Sequence, residues 1–221
     1  MDYKHTWTSG EDIPLPVGKA VCAGKNYKDH AEEMDSAVPE EPILFIKPSS
    51  SFISMEDPIE VIQDRGLFHY EAEISVLISE KLTQADERQV RKAIAGIGTG
   101  LDLTLRDVQS EAGKKGEPWE KAKAFDKSCP LSPFEPASSF EDLDDICLRL
   151  RINGDVRQKA SSSEMIFRIV PLIVYITSWF TLNPGDVIMT GTPAGVGSLS
   201  PGDRLELELE GVFSTRITAK E

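Results

Sequence analysis

The stretch from His69 to Ser79 constrains the fold more than any other. Tyr70, Ala72, Ile74, Val76 and Ile78 occupy every second position, the period of a half-buried strand. A strand of this kind needs partners on its edges, so the chain must build a sheet around it. Glu71 and Glu73 then project from the opposite face with Cα atoms ~7 Å apart. Two carboxylates on one face repel each other. The pair is either a solvated acidic face or a site for a hard divalent cation, which prefers oxygen ligands. Gly96-Ile-Gly-Thr-Gly100 leads to Asp102, which reads either as a third ligand or as a plain turn or cap residue.

The 221 residues are 40% hydrophobic and 28% charged, enough for one globular domain with a sizeable core. A formal net charge of −13 argues against nucleic acid and anionic membrane as partners, since both require a basic face. Small anionic substrates stay open, because a cation or a local Lys/Arg cluster reverses the field inside a cleft. Cys22, Cys129 and Cys147 are odd in number and widely spaced. They predict reduced thiols, as in cytoplasm, rather than a disulfide framework or a zinc–thiolate site. The N-terminus lacks the apolar run of a signal peptide. The apolar stretch from Ile166 to Leu182 is interrupted by Arg168 and Pro171 and is too short to span a bilayer.

Local patterns predict the remaining elements. Residues 1–17 read as a polar lead-in, and 18–221 as a single domain. Short strands are expected near 19–23, 43–47 and 187–190, with a half-buried strand at Ile146–Ile152. Asn153-Gly154 predicts a hairpin, and a second hairpin is expected around Glu210-Gly211. Helical character runs from Ala85 to Ala95 and from Pro171 to about Phe180, with proline as the first helical residue of the latter. Thr104-x-x-Asp107 and Ser161-x-x-Glu164 resemble helix-capping arrangements.

Other residues could carry chemistry. His30 and Glu33 share a face at i,i+3 spacing. A carboxylate beside an imidazole orients it and raises its basicity, although a solvated helix end has the same pattern. Lys123 reads as a surface lysine, unless it neutralises charge on an oxygen near a bound anion. The loop Gly191-Thr192-Pro193-Ala-Gly195-Val-Gly197 either brings backbone N–H groups close to a ligand or is a flexible surface loop. The glycines at 96–100 match neither a Walker motif nor the dinucleotide fingerprint.

In order, Gly24-x-Asn-Tyr-x-x-His30-x-x-Glu33, Lys47-Pro-Ser, His69-x-Glu71-x-Glu73, Leu101-Asp102-Leu-Thr-x-Arg106-Asp-Val-Gln109, Lys123-x-Phe-Asp, Asn153-Gly and Gly191-Thr-Pro-x-Gly-Val-Gly197 resemble the fumarylacetoacetate hydrolase family. The closest likeness is to its short, single-domain acylpyruvase and oxaloacetate decarboxylase branch, over about residues 18–218. The resemblance implies a strand-rich α+β fold, a mixed β-sandwich roll with a few short helices, and a homodimer. It implies a Mg²⁺ (or Mn²⁺) site at Glu71, Glu73 and Asp102, a lid dyad of His30 and Glu33, and a catalytic Lys123. Arg106, Gln109, Gly191 and Thr192 match positions that hold or polarise substrate in related enzymes. The expected reaction is hydrolytic C–C cleavage of acylpyruvates, or decarboxylation of oxaloacetate, through a pyruvate enolate held at the cation. Oxaloacetate tautomerisation and the isomerisation or decarboxylation of aromatic-catabolism dicarboxylates use the same parts. A non-catalytic acidic binding module is the remaining alternative.

Overall fold

A computed structural model describes residues 3–33 and 37–221. Among the described residues the chain is a strand-rich α+β fold whose helices are all short, as the resemblance implies. The largest sheet runs Ile43–Lys47, Ala20–Gly24, Val187–Met189, Ala72–Ile78, Ile94–Leu101, Cys129–Leu131, Phe52–Ser54. It is mixed: Ala20–Gly24 runs parallel to Val187–Met189, and Phe52–Ser54 parallel to Cys129–Leu131. A second sheet runs Asp155–Ser161, Cys147–Ile152, Arg204–Leu209, Phe213–Lys220, Ile59–Glu60. A small third sheet joins Gly197–Ser198, Phe68–Tyr70 and Thr104–Leu105. No helix among the described residues is long and apolar enough to cross a membrane.

The alternating strand forms at Ala72–Ile78, but it is buried on both faces rather than one. Its register explains this. It lies between Val187–Met189 and Ile94–Leu101, antiparallel to both. Ala72, Ile74, Val76 and Ile78 enter the main core, which includes Leu148, Leu150, Leu205 and Leu207 of the second sheet and Ile169, Leu172 and Ile173 of a helix. On the opposite face Leu77 joins a separate core with Phe52, Leu131, Phe134 and Met189. The lead-in segment closes that core. Ile13 is buried in it, and Tyr3, Trp7, Leu15 and Val17 pack against it. The glycines of 96–100 serve the same packing: a Cβ on Gly98 would lie 2.9 Å from Ser132 Oγ, and one on Gly100 2.6 Å from Met189 Cε.

The Asn153-Gly154 hairpin forms, with both residues at positive φ (54° and 94°), the primed-turn geometry that suits the strand twist. Ser161 and Glu164 make the expected capping box. Three other local expectations change. The helix expected at 85–95 is trimmed to Glu87–Ala93, with an Asp86–Gln89 capping box. The apolar helix is Ile169–Trp179, which places Pro171 third. It is tolerated there because N–H groups of the first turn have no intrahelical partner anyway. Its outer side leaves Trp179 exposed. Thr104 does not cap a helix. It lies in a strand, its hydroxyl donates to the Asp102 carbonyl at 3.0 Å, and the Arg106–Lys115 helix starts without a side-chain cap.

The lead-in segment carries a titratable anchor. His5 is fully buried, with Nε2 3.0 Å from the Gly185 carbonyl and Nδ1 3.1 Å from the Tyr3 hydroxyl. The neutral ring with its proton on Nε2 satisfies both contacts. Burial lowers the His5 pKa, and the Gly185 and Pro16 carbonyls offset this only in part. The unfolded chain therefore takes up the His5 proton first as pH falls. His5 supports the fold above about pH 6.5, and that support is lost as pH drops through the folded value. The melting temperature should fall more between pH 7 and pH 5 in the wild-type chain than in His5→Phe. The difference is worth about 1.4 kcal/mol per unit by which folding lowers the pKa. Parallel melting curves for the two proteins across that window would contradict the assignment.

Candidate functional site

Three carboxylates far apart in sequence meet because two strands pair. Ala72 lies opposite Leu101 and Glu73 opposite Gly100, so Asp102 emerges beside the glutamates. The Asp102 N–H donates to the Glu71 carbonyl at 2.8 Å, which extends the ladder by one rung. Glu71, Glu73 and Asp102 are all buried, and one ligand atom from each lies within 4.8 Å of the others.

Side chains from other elements fix the backbone between the glutamates. The Ala72 N–H donates to Gln158 Oε1 at 2.9 Å, and the Ala72 carbonyl accepts from Thr192 Oγ1 at 2.9 Å. Gln158 Nε2 in turn donates to Thr192 Oγ1 at 2.8 Å. The Gly191 N–H donates to Glu73 Oε2 at 2.8 Å. A Cβ at Gly191, where φ is +96°, would sit 2.7 Å from Asn26 Cβ, so only glycine lets the loop come this close.

Cations surround two of the three acids. Lys123, expected at the surface or beside a bound anion, is buried. Its ammonium donates to Glu71 Oε2 at 2.8 Å, Asp102 Oδ2 at 2.6 Å and Thr104 Oγ1 at 2.7 Å. Arg106 pairs with Glu71 Oε1 and donates to Gln109 Oε1 at 2.6 Å. Lys47 is fully buried, with Nζ 2.8 Å from Asp102 Oδ1. It also donates to the Ser128 carbonyl and hydroxyl, both at 3.0 Å, and to the Lys123 carbonyl. It thus steadies a carboxylate and the backbone that carries the other lysine. Lys47 enters the sequence reading only within a motif. The signal that could single it out is a lysine closing an apolar strand just before proline.

These contacts drive the acids apart. Burial would raise the Glu71 pKa, but the Lys123 and Arg106 charges together outweigh it and hold this carboxyl well below the usual range. Among the described residues Glu73 forms no ion pair. Burial, then the charges of Asp102 and Glu71, push it well above the usual range, and the Gly191 N–H and the charge of Lys123 offset only part of that. Burial would lower the Lys123 pKa, but the charges of Asp102 and Glu71 raise it, so it stays an ammonium. Three hard oxygen donors, one of them driven towards its neutral form by its two neighbours, suit a divalent cation. Its charge would relieve that repulsion.

The triad forms the floor of a cavity of about 210 Å³ that is also lined by His30, Arg106, Gln109, Lys123 and Thr192. His30 is buried on the Lys28–Glu33 helix, with Nδ1 3.2 Å from Glu33 Oε2. Glu33 stands behind it and accepts from the Gly195 N–H at 3.1 Å. Neither Glu33 nor Gly191 lines the cavity; each acts on a residue that does. Phe45 and Trp119 form an aromatic wall, their rings 6.1 Å apart. Gln158, Phe45 and Trp119 carry no spacing signal in the sequence.

The family model described as Fumarylacetoacetate (FAA) hydrolase C-terminal matches residues 19–218. The chain is 52% identical over 219 residues to an oxaloacetate tautomerase of Escherichia coli, covering 98% of this chain and 100% of that protein. It is 40% identical to a mitochondrial oxaloacetate tautomerase of Bos taurus, covering 96% and 92%. Among solved structures, fumarylpyruvate hydrolase from Pseudomonas aeruginosa in complex with Mn²⁺ and pyruvate superposes with a TM-score of 0.91. It shares 30% identity and covers 99% of this chain and 96% of that one.

Proposed function

Because the chain belongs to the fumarylacetoacetate hydrolase family, we propose that it interconverts the keto and enol forms of oxaloacetate, with Mg²⁺ or Mn²⁺ held by Glu71, Glu73 and Asp102. The full-length likeness to an oxaloacetate tautomerase carries this reading. The geometry supports it by placing an imidazole and an ammonium on one small cavity above the three acids. A divalent cation at those acids supplies charge that polarises a 2-oxo group and favours electron density on its oxygen.

The chain's own groups do the rest. Arg106 and Gln109 hold the substrate's near carboxylate. His30, oriented by Glu33 through Nδ1, takes a proton from C3 at Nε2 and returns it to the C2 oxygen, which completes the keto-to-enol shift without water. Lys123 remains an ammonium between two carboxylates, and the N–H that otherwise meets Thr104 turns to the C2 oxygen as charge develops there. Hydrolysis of acylpyruvates is the second reading, favoured by the fumarylpyruvate hydrolase likeness; it needs a water at the distal carbonyl. Decarboxylation of oxaloacetate needs neither water nor a returned proton at that oxygen. The homodimer belongs to the same reading, and a monomer's mass in solution would refute it.

The test follows the enol form of oxaloacetate with purified protein and Mg²⁺, with malate dehydrogenase present to report the keto form. Release of pyruvate from oxaloacetate, and of acetate from acetylpyruvate, is measured separately. Enol consumption should be accelerated far more than either release; faster pyruvate or acetate release would favour the other readings. His30→Ala should lower kcat by about 10²–10⁴-fold while preserving the Mg²⁺-dependent rise in melting temperature. Loss of that rise would place His30 among the metal's supports and refute its role as a base.

A further inference from the structure

Lys25 follows the Ala20–Gly24 strand with φ of 57°, a left-handed conformation that glycine adopts more cheaply. The next residue imposes it. Asn26 is fully buried. Its Nδ2 donates to the Phe167 carbonyl at 2.9 Å and the Thr190 carbonyl at 2.7 Å, and its Oδ1 accepts from the Phe167 N–H at 2.8 Å. Its own carbonyl accepts from the Ile166 N–H at 2.8 Å. Strain held by such over-determined surroundings concentrates at functional sites. What lysine adds here over glycine is a side chain, and Lys25 is among the residues that line the same cavity as His30, Arg106 and Lys123.

The other permanent cations of that cavity are taken up by the acids and, on the function proposed above, by the substrate's near end. Lys123 serves Glu71 and Asp102, and Arg106 serves Glu71. Among the described residues no carboxylate pairs with half-buried Lys25. The aromatic wall of Phe45 and Trp119 offers no charge to a ligand. A substrate with a second carboxylate would bring further negative charge into a cavity that already holds three acids, and that charge needs a partner once water is displaced. We propose that Lys25 is a specificity-determining residue, binding the far carboxylate of a dicarboxylic 2-oxo acid so that the site prefers such diacids to monocarboxylic 2-oxo acids. The placement of the near, 2-oxo end rests on the function proposed above.

Calorimetric titration in Mg²⁺ tests this with pyruvate and with 3,3-difluorooxaloacetate, which lacks the C3 hydrogen and cannot enolise. The wild-type protein should prefer the diacid. Lys25→Met should reduce that preference about tenfold or more, the scale of one charge-assisted hydrogen bond, with the pyruvate Kd unchanged. Lys25→Arg should retain most of it. Lys25→Gly relaxes the backbone and should lose the preference without lowering the melting temperature, which separates charge from conformation. The proposal is overturned if the wild type shows no preference, if Lys25→Met and Lys25→Gly keep it, or if both ligands weaken equally. A wild-type protein inactive on oxaloacetate would defeat the tautomerase reading instead, and the binding comparison would still stand or fall separately.

Discussion

Lys123→Met is expected to lower kcat for oxaloacetate tautomerisation by about 10²–10³-fold, the usual loss when one donor to a developing oxyanion is removed. It should also destabilise the metal-free protein by about 3–5 kcal/mol. The second effect follows from burial: methionine fills much of the lysine's volume but leaves Glu71 and Asp102 without the ammonium that lies 2.8 and 2.6 Å from them. Arg106 still faces Glu71 and Lys47 still faces Asp102, so the fold should survive. Added Mg²⁺ replaces the missing charge and should recover part of the melting temperature, whereas it cannot recover kcat. Steady-state kinetics measures the first effect, and urea denaturation with and without Mg²⁺ the second. A variant as stable as wild type without metal would refute the stabilising role of Lys123, and one whose kcat returns with Mg²⁺ would refute its catalytic role.

Glu73→Gln should act in the opposite direction on stability. Burial and the charges of Asp102 and Glu71 raise its pKa well above the usual range. The folded chain therefore holds this proton more tightly than the unfolded chain does. Its contribution to stability is complete below the unfolded value of about 4.5 and is lost as pH rises through the folded value. Glutamine is permanently uncharged and can keep the Gly191 N–H contact. At pH 8 the metal-free variant should melt no lower than wild type and up to a few degrees higher, about 1 kcal/mol per several degrees for a domain of this size. Mg²⁺ affinity should fall at least 10–100-fold, the loss seen even for groups that only support ligands. The Mg²⁺-dependent shift in melting temperature should vanish with it. A variant that binds Mg²⁺ as tightly as wild type would remove Glu73 from the metal site. Glu71 has the reverse sign: its lowered pKa supports the fold above about 4.5 and is lost on acidification.

These effects depend on distances that no local pattern carries. The His30–Glu33 spacing is visible in the chain, but the Gly195 N–H that holds Glu33 comes from a loop far along the sequence. The glycines at 96–100 are legible as a departure from nucleotide-binding motifs, yet their use in close packing against Ser132 and Met189 emerges only with the sheet. Thr104 has the spacing of a cap and instead holds Lys123, because strand pairing with His69 claims its backbone first.

By itself the sequence determined what repeats within a few residues. That covers the alternation from Tyr70 to Ile78, the Asn153-Gly154 turn and the Ser161 capping box, each of which depends on local dihedral preference or on side-chain period. The ordered motifs add the resemblance to the family, and that resemblance implies the role of the three acidic residues. Only the tertiary structure decided that both faces of the Ala72–Ile78 strand are covered, one of them by the lead-in segment. Only it buried Lys47 and Lys123 against the acids and left Glu73 without an ion pair among the described residues. Which face is covered and which charges meet depend on the register between strands distant in the chain, and burial then sets the strength of every charge–charge contact among them.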